Sequence, residues 1–170
     1  RAKRLGIPED FYQNLDLLRE LQPQHTLILG GDHVYKMDYA VMLAEHAASG
    51  ADLTVACLEV PLEDAREFGV MSVDAQQRVL AFQEKPAHPA PLPGRPGRAL
   101  ASMGIYVFDT QMLVDQLERD AHDPASSHDF GKDLIPALVG TAKVFAHRFE
   151  ASCVNMVDHR PYWRDVGTLD

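Results

Sequence analysis

The sequence predicts an α/β fold with a mixed, mostly parallel sheet flanked by helices. Three observations carry that prediction. Thr26-Leu27-Ile28-Leu29 and Leu53 to Leu58 are unbroken apolar runs of strand length, the pattern of strands buried on both faces. Between them, Asp38 to Gly50 has the helical period and a signal at each end. Further on, Val70 to Val73 and Val79 to Gln83 flank Asp74-Ala75-Gln76-Gln77, a hairpin that adds antiparallel pairing.

The elements follow in order. Glu9 to Leu21 reads as a helix, with Phe11, Leu15 and Leu18 at i, i+4 and i+7, an acidic start and Pro23 beyond its end. The first strand ends at Gly30-Gly31. Asp38 caps a helix to Ser49 that sets Met42, Leu43, His46 and Ala47 on one face, and Gly50 closes it. The second strand closes at Val60-Pro61. After the hairpin, the stretch from Pro86 through Gly97 carries five prolines and two glycines and makes a loop, because proline fixes φ and removes a donor. Loops of this length inside a domain are often functional. Ala101 to Phe108 is a strand, Gln111 to Asp120 a helix, and Asp129 to Val139 a helix that Pro136 shortens or kinks. Val144 to Phe149 is the last strand.

Composition narrows the function. The chain has 170 residues, and 16 basic against 25 acidic residues leave it at −9. That length suits one domain with a real core. An acidic chain lacks the basic footprint of a nucleic-acid binder. The longest uncharged apolar runs, such as Thr26 to Gly31, fall far short of the ~20 residues that cross a bilayer. The basic N-terminal residues lack an apolar stretch, so a signal peptide is not expected. Cys57 and Cys153, the two cysteines, read as thiols in a reducing cytoplasm.

Ligands of such sheets collect beyond the carboxyl ends of parallel strands, which directs attention to Gly30-Gly31-Asp32. Asp32 reads as a carboxylate holding Mg²⁺ over a phosphate, as a phosphoacceptor, or as the first residue of a turn. Glu84-Lys85-Pro86 stands where a strand enters the proline-rich loop. Pro86 is expected to hold Lys85 extended, and a lysine there suits a phosphate as a compact point charge. Glu84 turns to the same ligand only if the chain turns; otherwise the pair is a solvated strand end. Asp165, in Trp163-Arg164-Asp165, is either a second metal carboxylate or half of a surface pair with Arg164. Ser127 or Asp129 reads as a helix cap rather than as part of a catalytic triad. No metal-binding H-E-x-x-H pair, Walker loop or G-x-G-x-x-G occurs, and the histidines read as structural or exposed.

Six ordered segments then resemble one family. They are Leu29-Gly30-Gly31-Asp32-His33-Val34-Tyr35-Lys36-Met37-Asp38-Tyr39, Glu67-Phe68-Gly69-Val70-Met71, Phe82-Gln83-Glu84-Lys85-Pro86, Ala101-Ser102-Met103-Gly104-Ile105-Tyr106-Val107-Phe108, Ser127-His128-Asp129-Phe130-Gly131-Lys132-Asp133-Leu134-Ile135-Pro136 and Tyr162-Trp163-Arg164-Asp165-Val166-Gly167-Thr168. Over about residues 11 to 170 the chain resembles bacterial glucose-1-phosphate adenylyltransferases (ADP-glucose pyrophosphorylases). The resemblance implies a Rossmann-like nucleotide-diphospho-sugar transferase fold. It implies that ATP and α-glucose 1-phosphate give ADP-glucose and pyrophosphate, in cytoplasmic glycogen biosynthesis, within an allosteric homotetramer.

The same resemblance implies that Asp32 is catalytic and binds Mg²⁺, with Asp165 as second ligand. Lys85 would meet the sugar phosphate, Glu84 the sugar hydroxyls, and Gly69 and Ser102 would line that pocket. The family's G-G-x-G-x-R-L nucleotide loop and its C-terminal β-helix are absent. Arg4-Leu5-Gly6-Ile7-Pro8-Glu9-Asp10-Phe11 also departs from the family pattern. The expectation is therefore an interior piece of a catalytic domain, incomplete at its N-terminus and weakly active or inactive alone. Its alternatives are a non-catalytic sugar-phosphate-binding or assembly fragment, dimeric through an open sheet edge, and a related enzyme using another nucleoside triphosphate.

Overall fold

The computed structural model describes residues 14–154, 156–157 and 160–166. The beginning of the first expected helix, the divergent opening stretch and Gly167-Thr168 lie outside the described residues. Helix α1 (Leu15–Leu21) ends where Gln22 turns left-handed and its N–H bonds the Leu18 carbonyl. Strand β1 (His25–Leu29), strand β2 (His33–Tyr35), helix α2 (Tyr39–Ser49) and strand β3 (Leu53–Pro61) follow. The ends of α2 obey its sequence signals: the Asp38 carboxylate accepts from Ala40 N–H, and Gly50 is left-handed. A 3₁₀ turn at Asp64–Glu67 leads into β4 (Gly69–Val73) and β5 (Val79–Glu84), the expected hairpin. Strand β6 (Arg98–Asp109) starts three residues before the expected Ala101, and helix α3 (Thr110–Ala121) follows directly.

The expected helix from Asp129 is corrected. Phe130–Leu134 is a π-helical turn, and only Ile135–Leu138 (α4) is α-helical. Pro136 has no N–H to give the Lys132 carbonyl, so a regular α pattern cannot run through it. Instead Leu134 N–H reaches back five residues to Asp129 O at 3.2 Å. Strand β7 (Val144–Arg148) and the short strands β8 (Met156–Val157), β9 (Arg160–Pro161) and β10 (Trp163–Asp165) complete the described chain.

The main sheet has six strands in the order β5-β4-β6-β3-β7, with β1 also on β6. Only β3 and β7 pair in parallel; the other ladders are antiparallel. By direction, β1, β3, β4 and β7 still run the same way, against β5 and β6. The alternation along β3 and β6 buries both faces. Val55, Cys57, Tyr106 and Phe108 join one core, with residues of α1, α3 and α4. Ala56, Ile105 and Val107 join another, with Met42 of α2 and Phe149.

One edge of β6 is shared by two strands laid end to end. Strand β1 pairs from Asp109 back to Ile105, and β4 pairs at Ala101 and Leu100. Among the described residues no strand covers that edge from Ser102 to Gly104. Opposite the gap the β3 ladder shifts register between Val55 and Cys57, and Gly104 takes φ +69°. The gap receives the carboxyl end of β1 and the start of β4.

Candidate active site

Leaving β1, Gly30 donates its N–H to the Gly104 carbonyl at 3.0 Å, which pins the Gly30-Gly31-Asp32 turn to the gap. Strand β2 then pairs antiparallel with β10, setting Trp163 opposite Tyr35, Arg164 opposite Val34 and Asp165 opposite His33. Val166 N–H donates to Asp32 O at 2.8 Å and locks the end of this ladder. Asp32 and Asp165, remote in sequence, thus become neighbours. One donor atom each from Asp32, His33 and Asp165 lie within 4.8 Å of one another, a spacing that one divalent cation can bridge. Both carboxylates are exposed, whereas the His33 side chain is only 12% exposed and its Nε2 lies 3.4 Å from Asp32 Oδ1.

His33 was not singled out in the sequence. Its ring lies so close to two glycines that a Cβ at Gly30 or Gly104 would meet it at 2.7 or 2.8 Å. The Trp163 ring also packs against it, with centroids 5.2 Å apart. Trp163 also meets Phe68 edge-on at 5.4 Å, which joins the carboxylate cluster to the segment leading into β4.

The second half of the site begins at Gly69, the first residue of β4, paired with Glu84, the last of β5. A side chain at Gly69 would run into Phe82 and the Glu84 carboxylate, and one at Gly131 would also run into that carboxylate. Glu84 therefore lies between two bare backbones. Burial raises its pKa above the ordinary carboxylate range, and the Asp129 charge adds to this, while Lys85 and Lys132 act in the opposite sense. Asp129 does cap the following turn, as expected of it: its Oδ1 accepts from Gly131 and Lys132 N–H at 2.8 and 3.0 Å. Its charge also faces Glu84, a second property that the sequence reading missed, as it missed Gly131.

Lys85 requires a correction. It is not extended but takes φ +43°, uncommon for a residue with a side chain. Its N–H bonds the Phe68 carbonyl at 3.1 Å, so the chain leaves the ladder in a turn at Lys85. Of the two geometries open in the sequence, the turned one holds, and the Lys85 ammonium is close enough to act on Glu84. Ser102 is buried at the β6 gap, where its Oγ accepts from Gly104 N–H at 3.3 Å and bears on the nearby Tyr106 phenol. Burial pushes that phenol up to about 12. The Tyr106 ring stacks on Phe130, with centroids 5.4 Å apart, which ties Ser102 to the Asp129 turn.

All the sequence-predicted residues thus border one region. Asp32 and Asp165 stand at one end, and Gly69, Glu84 and Lys85 at the other, with Ser102 on the β6 gap that both ends adjoin. Cys57 is buried and Cys153 half-buried, and the two do not pair in a disulfide. Among the described residues no helix is long and apolar enough to cross a membrane.

The chain is 60% identical over 165 residues to a glucose-1-phosphate adenylyltransferase of Dechloromonas aromatica, covering 97% of this chain and 38% of that protein. It is 61% identical over 165 residues to the Nitrosospira multiformis protein of the same name, covering 97% and 39%. The Nitrosomonas europaea protein so named is 61% identical over 166 residues, covering 97% and 38%. The chain therefore spans about two fifths of the length of these curated relatives. Residues 2–170 match the family described as nucleotidyl transferase, and by that match over nearly its whole length the chain belongs to the nucleotidyl transferase family.

Proposed function

We propose that this chain forms the sugar-phosphate side of a glucose-1-phosphate adenylyltransferase centre. In that reaction a phosphate oxygen of α-glucose 1-phosphate attacks the α-phosphorus of ATP in line. The new P–O bond forms as the bond to the bridging oxygen breaks, giving ADP-glucose and releasing pyrophosphate. Little covalent help is needed, so positioning and charge neutralisation carry the catalysis. The metabolic setting this reading implies is glycogen synthesis in the cytoplasm.

Each residue has a task here that its chemistry suits. Lys85 meets the phosphate as a point charge at the turn. Glu84 accepts hydrogen bonds from sugar hydroxyls, and the bare backbone at Gly69 lets the ring approach. Ser102 lines the gap beside them. Asp32 and Asp165 are the groups that would hold Mg²⁺, since hard oxygen donors suit that ion. An Mg²⁺ ion held by them would supply charge neutralisation for the phosphates. The observation that supports this reading most is the gap in the β6 edge, which the turn before Asp32 and the start of β4 both adjoin.

A paramagnetic ion tests whether these are one site. With Mn²⁺ in place of Mg²⁺, the ³¹P signal of glucose 1-phosphate should relax faster in the presence of the protein. Asp32→Asn should abolish that enhancement. An absent enhancement in the unaltered protein, or an undiminished one in the variant, contradicts the reading.

A further inference from the structure

We propose that Asp120 and His128 are positioning residues for the Glu84–Asp129 end of the site, acting as a brace between helix α3 and the turn that carries Asp129. The inference rests on the sugar-phosphate reading of that site and assigns a task to residues outside it.

The brace is built from one buried carboxylate. Asp120 lies in the last turn of α3, and its side chain is 10% exposed. Its Oδ1 accepts from Ser126 Oγ at 2.6 Å, and its Oδ2 is 2.7 Å from His128 Nδ1. Ser126 Oγ in turn accepts from His128 N–H at 2.9 Å. Both oxygens of a carboxylate that is nearly out of water are thus committed to the same three-residue segment. Such charge-assisted bonds are stronger than neutral ones.

What the brace holds is an unfavourable backbone. His128 has φ +57°, a conformation that costs a residue with a Cβ, and it persists only where surroundings enforce it. The next residue is Asp129. Its carboxylate caps the π-helical turn through Gly131 and Lys132 and faces Glu84, while the bare Gly131 backbone lies against the Glu84 carboxylate. The left-handed step at His128 therefore sets the direction in which the chain enters this turn. Asp133 supports the same turn from within, its Oδ2 accepting from Ser127 Oγ at 2.6 Å and Asp129 N–H at 3.0 Å. Phe130 of the same turn stacks on Tyr106 of β6, and Asp120 adds the tie to α3. Neither Asp120 nor His128 borders the Asp32–Asp165 end, so the brace serves one end of the site.

Four variants separate backbone from side chain. His128→Ala loses both the brace and an easy left-handed conformation. His128→Gly keeps the conformation alone. His128→Asn keeps the conformation and an amide donor for Asp120, since asparagine tolerates that region. Asp120→Asn weakens the brace from the helix side. Hydrogen exchange of the Gly131 and Lys132 amides reads the turn without any ligand. His128→Ala and Asp120→Asn should speed it at least tenfold, with His128→Gly between and His128→Asn near the unaltered protein.

Titration with α-D-glucose 1-phosphate should show about tenfold weaker binding for His128→Ala and recovery for His128→Asn. Mn²⁺ affinity should be the same in all. Unchanged exchange in both His128→Ala and Asp120→Asn overturns the brace. So does an unchanged sugar-phosphate affinity in His128→Ala, or a parallel loss of Mn²⁺ affinity. If the unaltered protein does not bind glucose 1-phosphate, the sugar-phosphate reading fails, and the exchange series alone decides for or against the brace.

Discussion

At the residue scale, Glu84 carries the clearest conflict between the proposed function and stability. Burial and the Asp129 charge raise its pKa, so the folded chain holds this proton more tightly than the unfolded one. A raised carboxyl pKa favours the fold at low pH, and that contribution is lost as pH rises through the folded value. Near neutrality the ionised Glu84 therefore costs stability. Glu84→Gln should raise the melting temperature at pH 7 while weakening glucose 1-phosphate binding, as calorimetry of the two can establish; a lowered melting temperature would contradict the assignment. Lys85→Ala removes a charged partner and should weaken that binding by roughly 10- to 100-fold. Asp32, Lys85 and Asp165 could be singled out because glycine, proline and tryptophan punctuate the chain beside them, although Lys85 turns where Pro86 predicts extension. His33, Asp129 and Gly131 were not, because their places depend on close approach between distant segments. No local pattern announces that the His33 ring will lie against Gly104.

At the element scale, the site depends on two three-residue strands, β2 and β10, which are marginal alone. Their hold on the core runs through Tyr35 and Trp163, which pack on the second core, and through His33, seated on Gly30 and Gly104. Gly104→Ala should therefore cost more than a left-handed glycine usually does. Gly94 is the control, since it has φ +73° and open space around it. Urea denaturation should show Gly94→Ala destabilised by about 1 kcal/mol and Gly104→Ala by clearly more. Equal losses would mean that His33 packing contributes nothing. Helix α2 and the β4–β5 hairpin were legible to within a residue or two because capping signals and alternation are local. The β2–β10 ladder was not, since strands this short have no periodicity and pair across most of the chain. The π-helical turn was foreshadowed only by Pro136.

At the scale of the whole molecule, the fold separates a chemical end from a structural one. His46 belongs to the latter: it is fully buried, its Nδ1 bonds Thr54 Oγ1 at 2.8 Å, and its ring meets His25 edge-on. Burial, with the neighbouring His25, lowers its pKa to about 4. The unfolded chain therefore takes up this proton first as pH falls. Stability should be full above about pH 6.5 and drain away toward pH 4. Urea midpoints across that window should fall, and His46→Gln, which does not titrate, should flatten the decline. The general α/β class was legible in the apolar runs, but the arrangement that makes the site was not. It arises because β6 is long enough to carry β1 and β4 on one edge with a gap between them, and the start of β6 is masked in sequence by the proline-rich loop. The central claim is that this gap receives a sugar phosphate. Isothermal titration of α-D-glucose 1-phosphate into the unaltered chain, Lys85→Ala and Glu84→Gln tests it most directly. Saturable one-to-one binding, weakened at least tenfold in each variant, is the predicted result; no binding to the unaltered chain, or equal affinity in all three, would contradict it.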